Sequence, residues 1–404
     1  MAVNLKLPKK VHSVNGVRIG TACAGIKQTK RDDIALFVFD VGTVVAGVYT
    51  QSHFAAAPVL IAKDHEWTST SWIINSGNAN AATGDRGKND ASKTCKVVGA
   101  QLFQSDDTVQ PFSTGVIGEF LPMDKLEAAI SDAVSALDPS SWERAARAIM
   151  TTDTQPKIAS SQITVDDQLI TFTGIAKGSG MIKPDMATML AFIASDVRIE
   201  RPVLKEMTKE ISEKSFNRIT VDGDTSTNDC FMLACTGAVD MLPIKDTKDS
   251  RYTKVKEGLV DLAKTLAQAI VRDGEGATKF VSVIVEGGAD EEECLTVAYS
   301  IAESPLIKTA LFAGDPNWGR FCMAIGKAPI MDVDTRLIRL WLDDVLVANA
   351  GMLSESYTEE EGARVLGNNE FSVKIDLGRG SASTEIWTTD LSYEYVKINS
   401  EYRT

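Results

Sequence analysis

Histidine is scarce. The chain of 404 residues has 3, His12, His53 and His65, none clustered with its 6 cysteines. A Ser-His-Asp triad could still be assembled in space, but no G-x-S-x-G elbow supports one. The cysteines, Cys23, Cys95, Cys230, Cys235, Cys294 and Cys322, form no C-x-x-C pair. They predict reduced, mostly buried thiols, and neither a disulfide frame nor a metal site. No Lys/Arg-rich block occurs and the net charge is −13, which argues against a nucleic-acid partner. The longest apolar stretch, "IALFVFDVGTVVAGVY", is broken by Asp40 and contains Gly42 and Gly47, so it predicts two strands about a turn at 40–42 and not a membrane span. "MAVNLKLPKKVHSVNG" has charges but no following apolar run, unlike a secretory signal. These absences predict a cytoplasmic protein with no membrane partner.

The 44% apolar and 24% charged content is ordinary for a globular chain, and the length allows two or three domains. Strands are expected in "VRIGTACAGI", "DIALFVFD", "VVAGVYT", "APVLIAK" and "SWIINSG", at 160–165, 169–176 and 189–194, and in "LIRLWLDDVLVANAG" and "FSVKIDLG". Helices are expected at 91–104, 201–215, 254–272 and 291–303, and in "MDKLEAAISDAVSAL", where Leu126, Ile130, Ala133 and Leu137 recur at helical spacing. "DPSSWERAARAIM" should open another, with Ser140 and Glu143 in capping-box positions. The texture changes near Gly287, giving an expected main domain of 1–286 and a smaller C-terminal α/β domain of 287–404.

The segment "KGSGMIKPDMATMLAF" carries the most chemistry. Gly178, Gly180 and Pro184 punctuate a loop that delivers small Ala187 and then Thr188 to the mouth of an apolar strand. A threonine there can be an ordinary strand residue capping a backbone group. The loop could instead let the Thr188 hydroxyl attack the Ala187 carbonyl. Hydrolysis of the resulting ester would leave Thr188 with a free α-amine, of reference pKa about 8, as base to its own hydroxyl. An acyl-transfer nucleophile needs oxyanion donors, and Thr114 and Gly115 in "FSTGVIGEF" are candidates, with an ordinary turn as the alternative. "VDGDTSTND" alternates Asp222, Asp224 and Ser226 like a calcium loop. It has Thr227 where that loop needs Gly and Leu233 where it needs Glu, so a turn stabilised by its own side chains is expected. "DGEGATKF" and "GDPNWGR" lack Walker A spacing. Glu275 either reaches a ligand or sits in a turn, and Asp315, Asn317 and Arg320 around Trp318 fit a structural corner equally well.

Beyond these local readings, "KGSGMIKPDMATML" closely resembles the self-cleaving segment of the ornithine acetyltransferase (glutamate N-acetyltransferase) family. "NSGNANAATG", "STGVIGEFLPMDKL", "AIMTTDTQPK", "TVDGDTSTND", "DGEGATKFV", "KTALFAGDPNWGR" and "TTDLSYEYVKINSEY" are similar to family blocks in the family's order, from about Val14 to the C-terminus. The resemblance implies cleavage between Ala187 and Thr188 into an α chain of 1–187 and a β chain of 188–404. Thr188 would move acetyl from N2-acetylornithine to L-glutamate by a ping-pong route in arginine biosynthesis, with Thr114 and Gly115 as the oxyanion hole. Thr151, Lys177, Thr188, Glu275, Asn399 and Thr404 match substrate-binding positions, which brings the C-terminal tail back to the site. The implied fold is a layered α/β sandwich resembling N-terminal-nucleophile proteins. The implied assembly is α2β2 or larger, without metal or cofactor, and acetyl-CoA stays open as a second donor. A self-cleaving aminopeptidase or amidase that passes the acyl group to water is the alternative.

Overall fold

A computed structural model describes residues 2–183 and 189–401. Strand β2 (Ile34–Phe39) buries all six of its residues, which a strand can do only with cover on both faces. It lies in a four-stranded sheet of order β1-β2-β4-β5, with β1 (Val17–Ala22), β4 (Ser71–Asn78) and β5 (Val109–Val116). A five-stranded sheet, β3-β9-β8-β7-β6, is built from β3 (Val44–Tyr49), β6 (Lys157–Val165), β7 (Gln168–Lys177), β8 (Leu190–Ser195) and β9 (Cys230–Cys235). Alternate residues of β2 serve two cores. Ala35, Phe37 and Phe39 join Phe192 and Met232 of the other sheet, so the two sheets face each other. Ile34, Leu36 and Val38 pack under helices α2 (Gly84–Leu102) and α3 (Met123–Ser135). Behind the second sheet, Ala191, Ile193 and Phe172 meet α5 (Arg201–Lys214) and α6 (Ser250–Arg272). The result is a layered α/β sandwich in the order helices, sheet, sheet, helices. Helices α1 (Ala57–Asp64) and α4 (Trp142–Ala148) contribute to the core between the sheets.

A third sheet, β13-β12-β11-β14-β10-β15, has its own core under α7 (Glu291–Ala302), α8 (Pro305–Ala313), α9 (Trp318–Gly326) and α10 (Glu359–Leu366). Its strands are β10 (Phe280–Gly288), β11 (Arg339–Leu342), β12 (Val345–Asn349), β13 (Met352–Leu353), β14 (Glu370–Asp376) and β15 (Ala382–Thr389), followed by α11 (Tyr393–Ser400). The expected division at 286/287 falls inside β10, so this sheet begins upstream, at Phe280. Among the described residues no helix is long and apolar enough to cross a membrane.

Three local expectations change. "APVLIAK" forms helix α1, because Pro58 fits a first helical turn and a short apolar run does not distinguish helix from strand. The capping box does not form: Ser140 bonds the Asp138 carboxylate, Ser141 is the N-cap without a side-chain bond, and Glu143 pairs with Arg147 at 2.8 Å. Helix α2 starts at Gly84, ahead of the expected 91, behind Asn80, whose amide donates to the Gly87 carbonyl at 2.9 Å. The strands flanking residues 40–42 exist but do not pair with each other. β2 pairs β1 and β4, whereas β3 pairs β9, so the turn carries the chain from one sheet to the other.

Candidate active site

Strand β5 runs parallel to β4 until Gly115 faces Gly77, where the ladder shifts register. Gly115 has φ +135, and a Cβ there would overlap the Gly77 carbonyl carbon and the Asn78 nitrogen. Only glycine fits this close approach of two backbones. Thr114 beside it is buried. The Asn228 amide fixes the end of β5, donating to the Ser113 carbonyl at 2.9 Å and the Ala79 carbonyl at 2.6 Å. The rest of "TSTND" does bond within itself, as a turn should: Ser226 N–H donates to Asp229 Oδ2 at 3.1 Å and Asn228 N–H to Ser226 Oγ at 3.2 Å.

The opposite wall rests on a buried charge cluster. Lys157 Nζ donates to Asp153 and to Asp273, each at 2.6 Å, and all three side chains are at most 1% exposed. Asp153 also accepts the N–H of Thr151 at 2.9 Å and of Gly178 at 2.8 Å. Asp273 accepts the N–H of Thr154 at 2.9 Å and of Gln155 at 3.2 Å. One ion cluster therefore locates Thr151, the end of β7 at Lys177, and the loop bearing Glu275. Burial alone would push the Asp153 carboxyl up. Lys157, Lys177 and the Gly178 N–H outweigh it and hold the group well below the usual carboxylate range. Burial pushes the half-buried Lys177 ammonium down, partly opposed by Asp153. Burial pushes the Asp229 carboxyl well up, partly opposed by Ser226 and Lys177.

Glu275 is buried, its N–H donating to the Ser179 carbonyl at 2.7 Å. Its carboxylate accepts the Asn399 amide at 2.8 Å, which brings α11 over the cavity. Gly180 lies so close to this carboxylate that a Cβ would overlap it. Asp222 ties the remaining pieces together. It accepts Met181 N–H at 2.6 Å, Ile182 N–H at 2.8 Å and the Tyr395 hydroxyl at 3.2 Å.

A cavity of about 270 Å³ is lined by Thr114, Gly115, Thr151, Lys177, Glu275 and Asn399, with Asn228, Asp229 and Met189. Six of the expected site positions, from distant parts of the chain, thus share one hollow. Ala187, Thr188 and Thr404 lie outside the described residues, although Met189, the residue after Thr188, lines the cavity. Sequence reasoning missed Asp153, Lys157, Asp273, Asn228 and Asp229 as parts of the site. Their signal was present in "TTDTQPK", "DGEGATK" and "TSTND", whose polar residues bond across the site and not only within their own turns. "GDPNWGR" sits at the corner between α8 and α9, where Arg320 bonds Leu306 and Thr309. Four of the cysteines, Cys95, Cys230, Cys235 and Cys294, are buried, and burial pushes their thiols up.

Chemically, the cavity offers a cation and hydroxyls for a carboxylate, a carboxylate for an ammonium, and a glycine-lined strand end where a backbone N–H can approach a reacting oxygen. The sequence model of the ArgJ family matches residues 18–404. The arginine biosynthesis bifunctional protein ArgJ of Pseudomonas syringae pv. tomato is 50% identical over 406 residues, covering 100% of both chains. The protein of the same name from Pseudomonas fluorescens is 48% identical over 405 residues, again covering 100% of both. Among solved structures, the arginine biosynthesis bifunctional protein ArgJ of Bacillus halodurans is 33% identical. It covers 51% of this chain and 96% of its own, with a TM-score of 0.49.

Proposed function

The chain belongs to the ArgJ family, and from that membership and the cavity we propose a glutamate N-acetyltransferase of arginine biosynthesis with Thr188 as nucleophile. The supporting observation is the convergence of Thr114, Gly115, Thr151, Lys177, Glu275 and Asn399 on one cavity that Met189 also lines. The precursor cuts itself between Ala187 and Thr188, giving chains 1–187 and 188–404 that stay together and assemble as α2β2 or larger in the cytoplasm. The freed α-amine takes the proton of the Thr188 hydroxyl as the oxygen attacks the acetyl carbonyl of N2-acetylornithine. Thr114 and Gly115 hold the oxyanion. Ornithine leaves with that proton, and the amine of L-glutamate then attacks the acetyl-threonine to give N-acetylglutamate. No metal or cofactor enters the scheme. The third sheet and α11 form a C-terminal unit; Asn399 of α11 lines the cavity, and Thr404 is assigned to substrate binding with it.

Within this scheme Lys177 and Thr151 receive the α-carboxylate, and Glu275 the side-chain ammonium of ornithine. Substituting Glu275→Gln should raise KM for N2-acetylornithine by about 10- to 100-fold, the worth of a charge-assisted hydrogen bond. Steady-state kinetics with varied donor checks this, and an unchanged KM would remove Glu275 from the ammonium subsite. The scheme itself is tested by intact mass spectrometry before and after brief exposure to N2-acetylornithine. Two chains meeting at Ala187/Thr188, with one acetyl added to the second, are expected. Cleaved chains that never acetylate would favour the amidase alternative, and a single unmodified chain would refute the nucleophile.

A further inference from the structure

The two amino acids in the proposed reaction carry opposite side-chain charges. Among the described residues the cavity wall presents the Glu275 carboxylate, the Asp229 carboxyl that burial pushes well up, and one ammonium, Lys177. Lys177 can take the α-carboxylate of either substrate. An ornithine ammonium then meets Glu275, but a glutamate side chain in the same place would set like charges together where little water screens them. The acceptor's side chain needs a cation elsewhere.

One lies beside Thr151, outside the cavity lining itself. Arg31, on the loop between β1 and β2, donates from Nη2 to the Thr151 carbonyl at 3.1 Å. It lines an outer hollow of about 250 Å³ with Asp32, Arg144, Arg147 and Met150. Met150 lines the outer hollow and the next residue, Thr151, lines the cavity, so Arg31 meets the cavity wall through its bond to Thr151. The other charges there are engaged: Lys27 Nζ donates to the Ala148 carbonyl at 2.9 Å, Asp32 accepts from Thr21 at 2.6 Å and pairs with Arg144 at 3.3 Å, and Arg147 pairs with Glu143 at 2.8 Å. A guanidinium has five N–H donors in a planar fork suited to a carboxylate, and the Thr151 bond uses one.

Resting on the function proposed above, we propose that Arg31 receives the side-chain carboxylate of the glutamate acceptor. Donor and acceptor then share Lys177 but diverge at their side chains, ornithine toward Glu275 and glutamate toward Arg31.

The test separates the two half-reactions in the full-length cleaved protein. Acetylation by N2-acetylornithine is followed by mass, and deacetylation of the isolated acetyl-enzyme is timed with glutamate, glutamine or ornithine. Arg31→Ala should slow deacetylation by subsaturating glutamate about 10- to 100-fold. It should leave acetylation and return of acetyl to ornithine within about twofold, and bring the glutamate-to-glutamine rate ratio near one. Arg31→Lys should restore part of that ratio. Equal slowing with glutamate, glutamine and ornithine would assign Arg31 to holding Thr151 and overturn the proposal, as would an unchanged preference for glutamate. A wild-type enzyme that never acetylates would instead bring down the transferase reading beneath it.

Discussion

Gly115→Ala should cost at least about 10²-fold in turnover, with no acetyl-enzyme accumulating from N2-acetylornithine. Loss of one oxyanion donor is worth about 10²- to 10³-fold in comparable sites. Here the alanine also meets an occupied space: its methyl would overlap the Gly77–Asn78 peptide, at a φ of +135 that side-chain-bearing residues rarely adopt. β4 and β5 must separate at their ends, which moves Thr114 and the Asn228 clamp together. The fold should survive, because the strain is confined to the last pairs of the ladder. A folded variant by circular dichroism, dead in transfer, is the expected combination. Near-wild-type turnover would show that this strand end does not bind the oxyanion.

Lys157→Met should destabilise the protein by about 3–5 kcal/mol, the usual cost of removing one partner from a buried ion cluster. Asp153 and Asp273 would be left buried without their shared cation. Urea midpoints measure the loss, and a cost under about 1 kcal/mol would mean that water or rearrangement replaces Lys157. The effect should depend on pH with a definite sign. A carboxyl held below its unfolded value contributes stability that is complete above the unfolded pKa, about 4, and declines as pH falls toward the folded value. Since Asp153 is held well below the usual range in the wild type and loses its main opposing cation in the variant, the difference between the two should be largest near neutral pH and shrink as pH falls. A difference that grows on acidification would reverse the assigned charges.

Periodicity made the framework legible. The fully buried strands β2 and β8, and the amphipathic helices α3, α5 and α6, lie close to where their apolar patterns place them. Pattern could not reveal partners. Nothing in "IALFVFDVGTVVAGVY" says that its two strands join different sheets, because burial on both faces looks alike in either arrangement. Capping failed for a similar reason: Asp138 offers Ser140 a closer acceptor than the helix offers a donor, a competition that spacing does not encode. The candidate ligand positions came through a resemblance. The residues that hold them, Asp153, Lys157 and Asp273, were not, since their pairing joins β6 to a loop after α6.

The connection proposed to be cut joins β7 to β8, which are hydrogen-bonded neighbours from Phe172↔Ser195 to Lys177↔Leu190. Phe192 of β8 packs against Phe37, Trp72 and Phe112 of the other sheet, stacked on the first and edge-on to the last. A cut there would therefore divide the second sheet between two chains without breaking any of its strand pairings. The first fragment contributes β3, β6 and β7 to the second sheet, and the other contributes β8 and β9. Neither fragment is a subunit in the ordinary sense, with a surface of its own to dock. The sandwich needs strands from both, so separating the chains would unfold the sandwich. Subunit exchange between mature molecules should be no faster than global unfolding.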